Sequence, residues 1–164
     1  MLDNKIMEKD IEMMRLALAE AKKAAEKGEI PIGAVVCRGE EVIAVAHNLC
    51  ETNQKATHHA EMLALDAASE KIGSWRLSDC ELYVTLEPCP MCMGAAIRSR
   101  VRRVVYGAQD ARAGACGSLV NLPAYPLEAS PDCVEGILAQ ESVQLLQDFF
   151  QERRKIQIKS RPKG

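Results

Sequence analysis

The sequence predicts an α/β protein whose mixed sheet is covered by helices on both faces, a three-layer α/β/α sandwich. Three observations lead there. Short apolar runs of strand length recur along the chain, helix-period segments fall between them, and no internal repeat or long linker interrupts the order. At 164 residues the chain suits one domain spanning 1–164, large enough to bury a core without staples.

The first element is an amphipathic helix over 8–27, with Ile11, Met14, Leu18, Ala21 and Ala25 at three- and four-residue steps and Gly28 as its terminator. Apolar runs at 32–37 and 42–47, separated by Arg38-Gly39-Glu40-Glu41, read as a hairpin. A polar stretch over 48–57 leads to a second helix over 59–71. A third strand over 81–86 enters Pro88 and a helix over 89–98, followed by a fourth strand over 102–107. Residues 108–130, rich in Gly, Ala and Pro and without a clear period, are expected to form a functional or connecting loop. A short edge strand is expected over 134–138, although Pro131 weakens it. The last helix, over 139–155, places Val143, Leu146, Phe149 and Phe150 on one side, and a basic tail follows over 156–164.

Apolar content of 48% and charged content of 27% are ordinary for a soluble globular protein. No apolar run approaches the roughly 18 residues of a membrane span. The opening Met1-Leu2-Asp3-Asn4-Lys5 lacks the basic end and apolar stretch of a secretory leader, so a cytoplasmic location is expected. The seven cysteines are an odd number, and only Cys89 and Cys92 have ligand spacing. Cys37, Cys50, Cys80, Cys116 and Cys133 read as small hydrophobic residues. The net charge of −2 conceals an asymmetry: residues 151–164 hold six basic residues and one acidic, against 15 basic and 22 acidic in 1–150. A basic end suits an anionic partner but equally suits a solvated tail.

The chemistry is concentrated in two short motifs. His59-Ala60-Glu61 supplies a histidine and a carboxylate, and Pro88-Cys89-Pro90-Met91-Cys92 supplies two thiols. Three soft or borderline ligands, His59, Cys89 and Cys92, leave one position of a tetrahedral zinc for water, whereas structural zinc sites close all four. Zinc lowers the pKa of bound water towards about 7, and Glu61 beside it would move the protons. Cys89 and Cys92, at i and i+3, share a helix face, and Pro88 suits a helix start. Histidine and glutamate two residues apart lie about 200° apart on a regular helix, so both can face a metal only from an irregular first turn. A redox CxxC or half of a structural zinc site remains an alternative reading of the cysteines. His58 competes with His59, but only His59 stands in the H-x-E frame; His58 and His47 read as neighbouring or surface residues. A metalloprotease would need two histidines four residues apart on one helix, a motif the chain lacks.

H-x-E followed by P-C-x-x-C is a recognised signature of zinc nucleobase deaminases, the family named next among them. With Gly28-Glu29-Ile30-Pro31-Ile32-Gly33-Ala34-Val35, His47-Asn48, Gly73-Ser74-Trp75-Arg76-Leu77, Tyr83 to Cys89, Val104 to Ala108, Ala113 to Ser118 and Asp148 to Arg154, the chain resembles the bacterial tRNA-specific adenosine deaminases. That resemblance implies the cytidine deaminase-like fold with a five-stranded sheet, one Zn2+ per subunit, and a homodimer. It implies hydrolysis of the wobble adenosine of a tRNA anticodon stem-loop to inosine, with Glu61 as the catalytic group. It also implies that Asn48, Ala60, Pro88 and Asp110 bind substrate and that Arg112, Arg153 and Arg154 meet the RNA backbone. Arg98, Arg100, Arg102 and Arg103 form a further candidate phosphate cluster. An anticodon loop offers an unstacked base, which attack at carbon 6 of adenine requires.

Two departures from the family pattern, His58 and the acidic stretch over 123–134, keep a second substrate class open: a free guanine, cytosine or pterin-like heterocycle. A third reading, of another class, is a non-catalytic zinc-stabilised RNA-binding module, in which Glu61 would be dispensable.

Overall fold

The computed structural model describes residues 1–162; Lys163 and Gly164, the end of the expected basic tail, lie outside the described residues. Five strands form one sheet in the order β2-β1-β3-β4-β5: β1 (Gly33–Arg38), β2 (Glu41–His47), β3 (Cys80–Leu86), β4 (Arg103–Ala108) and β5 (Asp132–Val134). β1 runs antiparallel to both β2 and β3, whereas β4 runs parallel to β3 and β5, so the sheet is mixed. The hairpin and the five-stranded α/β/α architecture expected from the sequence are present.

Period-two alternation assigns each strand residue to a layer. Val35, Cys37, Tyr83 and Val105 face α1 (Leu2–Glu26), where they meet Met13, Met14, Ala17 and Leu18. Ala34, Val36, Leu82, Val84, Val104 and Tyr106 face the other side, against α3 (Ala60–Ile72) and α4 (Pro90–Arg98). Both faces of β3 are therefore covered, and its burial is nearly continuous. Gly33 is required by packing: a Cβ there would lie 1.9 Å from the Ala17 carbonyl oxygen.

Four elements differ from expectation. α1 begins at Leu2, because Met1 to Met7 add helical turns that stay exposed. A one-turn helix, α2 (Cys50–Asn53), occupies the polar stretch over 48–57. The edge strand is the three residues of β5, earlier than 134–138; Ile137 is instead buried against the α1 layer and Leu138 caps the last helix with φ 51°. That helix, α5 (Ala139–Ser160), runs past Lys155 into the stretch expected as tail. It seats through Ser142 and Leu145, while Val143 and Phe150, 40% and 41% exposed, stand off the core. Among the described residues no helix is long and apolar enough to cross a membrane.

The arginines expected as a phosphate cluster are committed internally. Arg103 reaches Asp10 at 2.7 Å and Glu81 at 3.1 Å, Arg102 also pairs with Glu81, and Arg98 and Arg100 hold the carboxylate and carbonyl of Glu128. Beneath α1, Asp10 and Glu81 both accept from the Tyr83 hydroxyl. Burial alone would raise the Glu81 carboxyl, but hydrogen bonds from Tyr83, Arg102 and Lys9 outweigh it and hold it at about 2. A depressed folded-state value contributes stability that is present above the ordinary 4.5 and lost as pH falls towards about 2. The urea midpoint is therefore expected to drop across that window, and Glu81→Gln to flatten the drop.

Candidate active site

The two ligand motifs converge because both end at helix N-termini on the same face of the sheet. His59 is the N-cap of α3, with extended backbone (φ −68°, ψ 154°), and Cys89 is the N-cap of α4, equally extended (φ −71°, ψ 171°). Capping lets His59 project before the helix turns, while Glu61 projects from within the first turn. The irregular start that the H-x-E spacing demands is thus met. Pro90, rather than Pro88, takes the first helical position of α4; Pro88 is buried and its carbonyl accepts the Ala115 N–H at 2.8 Å.

His59 Nδ1 lies 3.4 Å from Cys92 Sγ and 3.6 Å from Cys89 Sγ. All three donor atoms fall within 4.8 Å of one another, and no other group of three such donors occurs among the described residues. A hydrogen bond from Cys92 is the main cause that lowers the Cys89 thiol to about 4, assisted by His59 and by the Cys92 backbone N–H. The same contact, with burial, pushes Cys92 up, and hydrogen bonding to Cys89 raises His59. Protons thus compete with a cation for these donors, as expected of a metal-binding set. Glu61, 4% exposed, is not one of the three; burial pushes its carboxyl up.

A cavity of about 280 Å³ opens beside His59. Its walls include Asn48, Cys50, His59, Ala60 and, from α5, Arg153. Asn48 is buried and fixed: its amide donates to the Ile30 carbonyl at 3.5 Å and accepts the Cys50 N–H at 3.3 Å. The Arg153 guanidinium sits 5.3 Å from the Phe149 ring centroid. Of the residues expected around substrate, Asn48, Ala60 and Arg153 border this cavity; Pro88, Asp110, Arg112 and Arg154 do not. Asp110 instead accepts the backbone N–H groups of Arg112 and Ala113.

His58 turns away to Asn53, 2.9 Å from its Nδ1, and His47 bridges Glu20 and Lys27 at the end of β2. Neither His58 nor any residue of 123–134 borders the cavity, so the two departures from the family pattern leave its walls unchanged. The five other cysteines are free: Cys37 and Cys80 are buried, Cys50 and Cys116 half-buried, and Cys133 exposed. Sequence reasoning missed Cys50, which borders the cavity, and two buried carboxylates. Glu29 accepts the N–H groups of Glu51 and Thr52, and Glu87 holds residues 110–118. Nothing local marks either carboxylate, because the N–H groups they accept belong to segments distant along the chain.

Comparison with known proteins extends across the whole site. Residues 8–154 match the MafB19-like deaminase family. The tRNA-specific adenosine deaminase of Bacillus subtilis is 50% identical over 150 residues, which cover 91% of this chain and 93% of that protein. The chain belongs to the tRNA-specific adenosine deaminase family. The family's fold is recovered in a solved structure from studies of A-to-I editing by tRNA:A34 deaminases at the wobble position, with TM-score 0.80 and 42% identity over 82% of this chain and 99% of that one. The guanine deaminase of Nitrosomonas europaea is a more distant likeness, with TM-score 0.70 and 25% identity over 84% of this chain and 82% of that one. In this chain His59 belongs both to the three-donor cluster and to the cavity wall.

Proposed function

We infer that this protein hydrolyses the wobble adenosine of a tRNA anticodon loop to inosine, with zinc as its metal. One observation carries the reading: a three-donor cluster with a buried carboxylate, Glu61, left outside it, in a chain half identical to a tRNA-specific adenosine deaminase. Two sulfurs and an imidazole nitrogen suit zinc, and three protein donors leave one tetrahedral position free. When held by His59, Cys89 and Cys92, zinc supplies the Lewis acidity that makes water a nucleophile near neutral pH.

The chain's own residues do the rest. Glu61 accepts the proton released by water and passes it to a ring nitrogen as oxygen bonds to carbon 6. Glu61 then takes the proton of the new hydroxyl and delivers it to the exocyclic amine; the carbon–nitrogen bond breaks as the carbon–oxygen double bond forms, and ammonia leaves while the ring nitrogen keeps its proton. Burial that raises the Glu61 carboxyl brings it closer to the range where a group both takes and gives protons. Asn48, fixed by Ile30 and Cys50, orients the base in the cavity, and Ala60 forms its wall. Pro88 and Asp110 act one layer back, through the segment that hydrogen-bonds to them. Arg153, Arg154 and Arg112, exposed and basic, meet phosphates of the stem-loop. The family resemblance adds a homodimer to this reading, with which the expected cytoplasmic location agrees.

A substrate panel tests it. Purified protein is expected to release ammonia with an anticodon stem-loop bearing adenosine at the wobble position, and to leave free guanine, cytosine and a pterin largely untouched. Rapid turnover of a free heterocycle with an unreacted stem-loop would transfer the assignment to a free-base deaminase. Stem-loop binding with no turnover of any substrate would favour the RNA-binding module.

A further inference from the structure

Glu87 is 2% exposed and makes no ion pair among the described residues. Its partners are instead four donors from one segment. Oε1 accepts the Asp110 N–H at 3.3 Å and the Ser118 hydroxyl; Oε2 accepts the Cys116 N–H at 3.1 Å and the Ser118 N–H at 3.2 Å. Gly114 presses on the same carboxylate: a Cβ there would lie 2.2 Å from Oε2 and 2.5 Å from the Asp110 carbonyl oxygen. Residues 110–118 therefore wrap around Glu87 with no space for a larger side chain.

The same segment is fastened twice more beside the metal-ligating corner. The Ala115 N–H donates to the Pro88 carbonyl at 2.8 Å, directly before Cys89, and Cys116 Sγ lies 3.4 Å from Met93 Sδ on α4. At its leading end stand Asp110 and Arg112, the latter exposed and without an ion pair among the described residues.

We propose that Glu87 is a positioning residue for deamination: its carboxylate clamps residues 110–118 onto the Cys89 corner and holds Asp110 and Arg112 in register for the substrate. The claim rests on the stem-loop being the substrate. Both side-chain oxygens act as acceptors in this contact, which an amide cannot reproduce. A glutamine of equal shape would turn an N–H₂ towards one set of donors, leaving either the Asp110 or the Cys116 and Ser118 anchor unmade.

Glu87→Gln and Gly114→Ala disturb this contact from opposite sides, and Ser118→Ala removes one hydroxyl donor as a mild third variant. For the zinc-loaded protein, the first two are expected to raise KM for the stem-loop about tenfold while kcat stays within about threefold, and Ser118→Ala to raise KM about twofold. Zinc content should remain near one per chain in all three. A purely structural role would instead lower Tm and zinc content with kcat and KM following active fraction, and that pattern, or unchanged KM in all three, would overturn the proposal. If Glu87→Gln and Gly114→Ala fail to fold, Ser118→Ala decides by the same split. Wild-type protein on the stem-loop is the control that separates the two claims. Should it show no turnover, the substrate assignment fails, and hydrogen exchange of the Asp110, Cys116 and Ser118 amides in Ser118→Ala still reads the clamp: unaltered protection would overturn it.

Discussion

Replacing Glu61 by glutamine is expected to leave zinc bound and to reduce deamination by about 10²- to 10⁴-fold, the range supplied by a positioned proton carrier. The side chain keeps its shape and its place in the first turn of α3, and it is not one of the three donor atoms that come together. What disappears is the capacity to take a proton from water and return it to the ring and the amine. The fall should appear in kcat more than in KM, because substrate contacts are unchanged. Metal analysis and stem-loop kinetics on the same preparation check it. Undiminished turnover would remove Glu61 from the mechanism, and loss of zinc in parallel with activity would make it part of the metal set.

Cys89→Ala is expected to act in the opposite order, with the metal leaving first. Cys89 ends the turn from β3 into α4, its thiol is held down at about 4, and it lies 3.6 Å from His59 Nδ1. An alanine leaves two donors, too few to retain zinc against a chelator. Because metal binding and folding are coupled, stability should fall by about 3 kcal/mol or more, roughly 6–12 °C in Tm for a chain of this length. Added zinc should raise Tm of the wild type but not of the variant. Full zinc retention in the variant would exclude Cys89 as a ligand.

The parts of this molecule most legible in its sequence are those where local pattern and chemistry coincide. β1 and β2 are short apolar runs either side of Arg38-Gly39-Glu40-Glu41 and pair as a hairpin, and the H-x-E spacing required His59 to precede its helix, as it does. The ends were less legible because tertiary contacts decide them. Nothing local distinguishes Val143 and Phe150, which stay exposed, from Leu145, which seats α5 against the α1 layer. Pro131 weakened the expected strand at 134–138, and pairing with Arg103 to Val105 places it directly after that proline, at Asp132–Val134. The run Arg98, Arg100, Arg102 and Arg103 read as a phosphate site because its partners, Asp10, Glu81 and Glu128, lie far away along the chain. Glu87 and Glu29 escaped notice for the same reason: their partners are backbone N–H groups of distant segments, which carry no residue signature.

The site as a whole asks for one direct measurement. An anticodon stem-loop containing adenosine at the wobble position and at a neighbouring loop position is incubated with zinc-loaded protein, cleaved into sequence-assignable fragments, and assayed for inosine in each fragment by mass. Inosine is expected at the wobble position alone, and absent when Glu61→Gln protein is used. Inosine at neither position while a free heterocycle is deaminated, or equal inosine from the Glu61→Gln protein, would contradict the assignment of this site to wobble-adenosine hydrolysis.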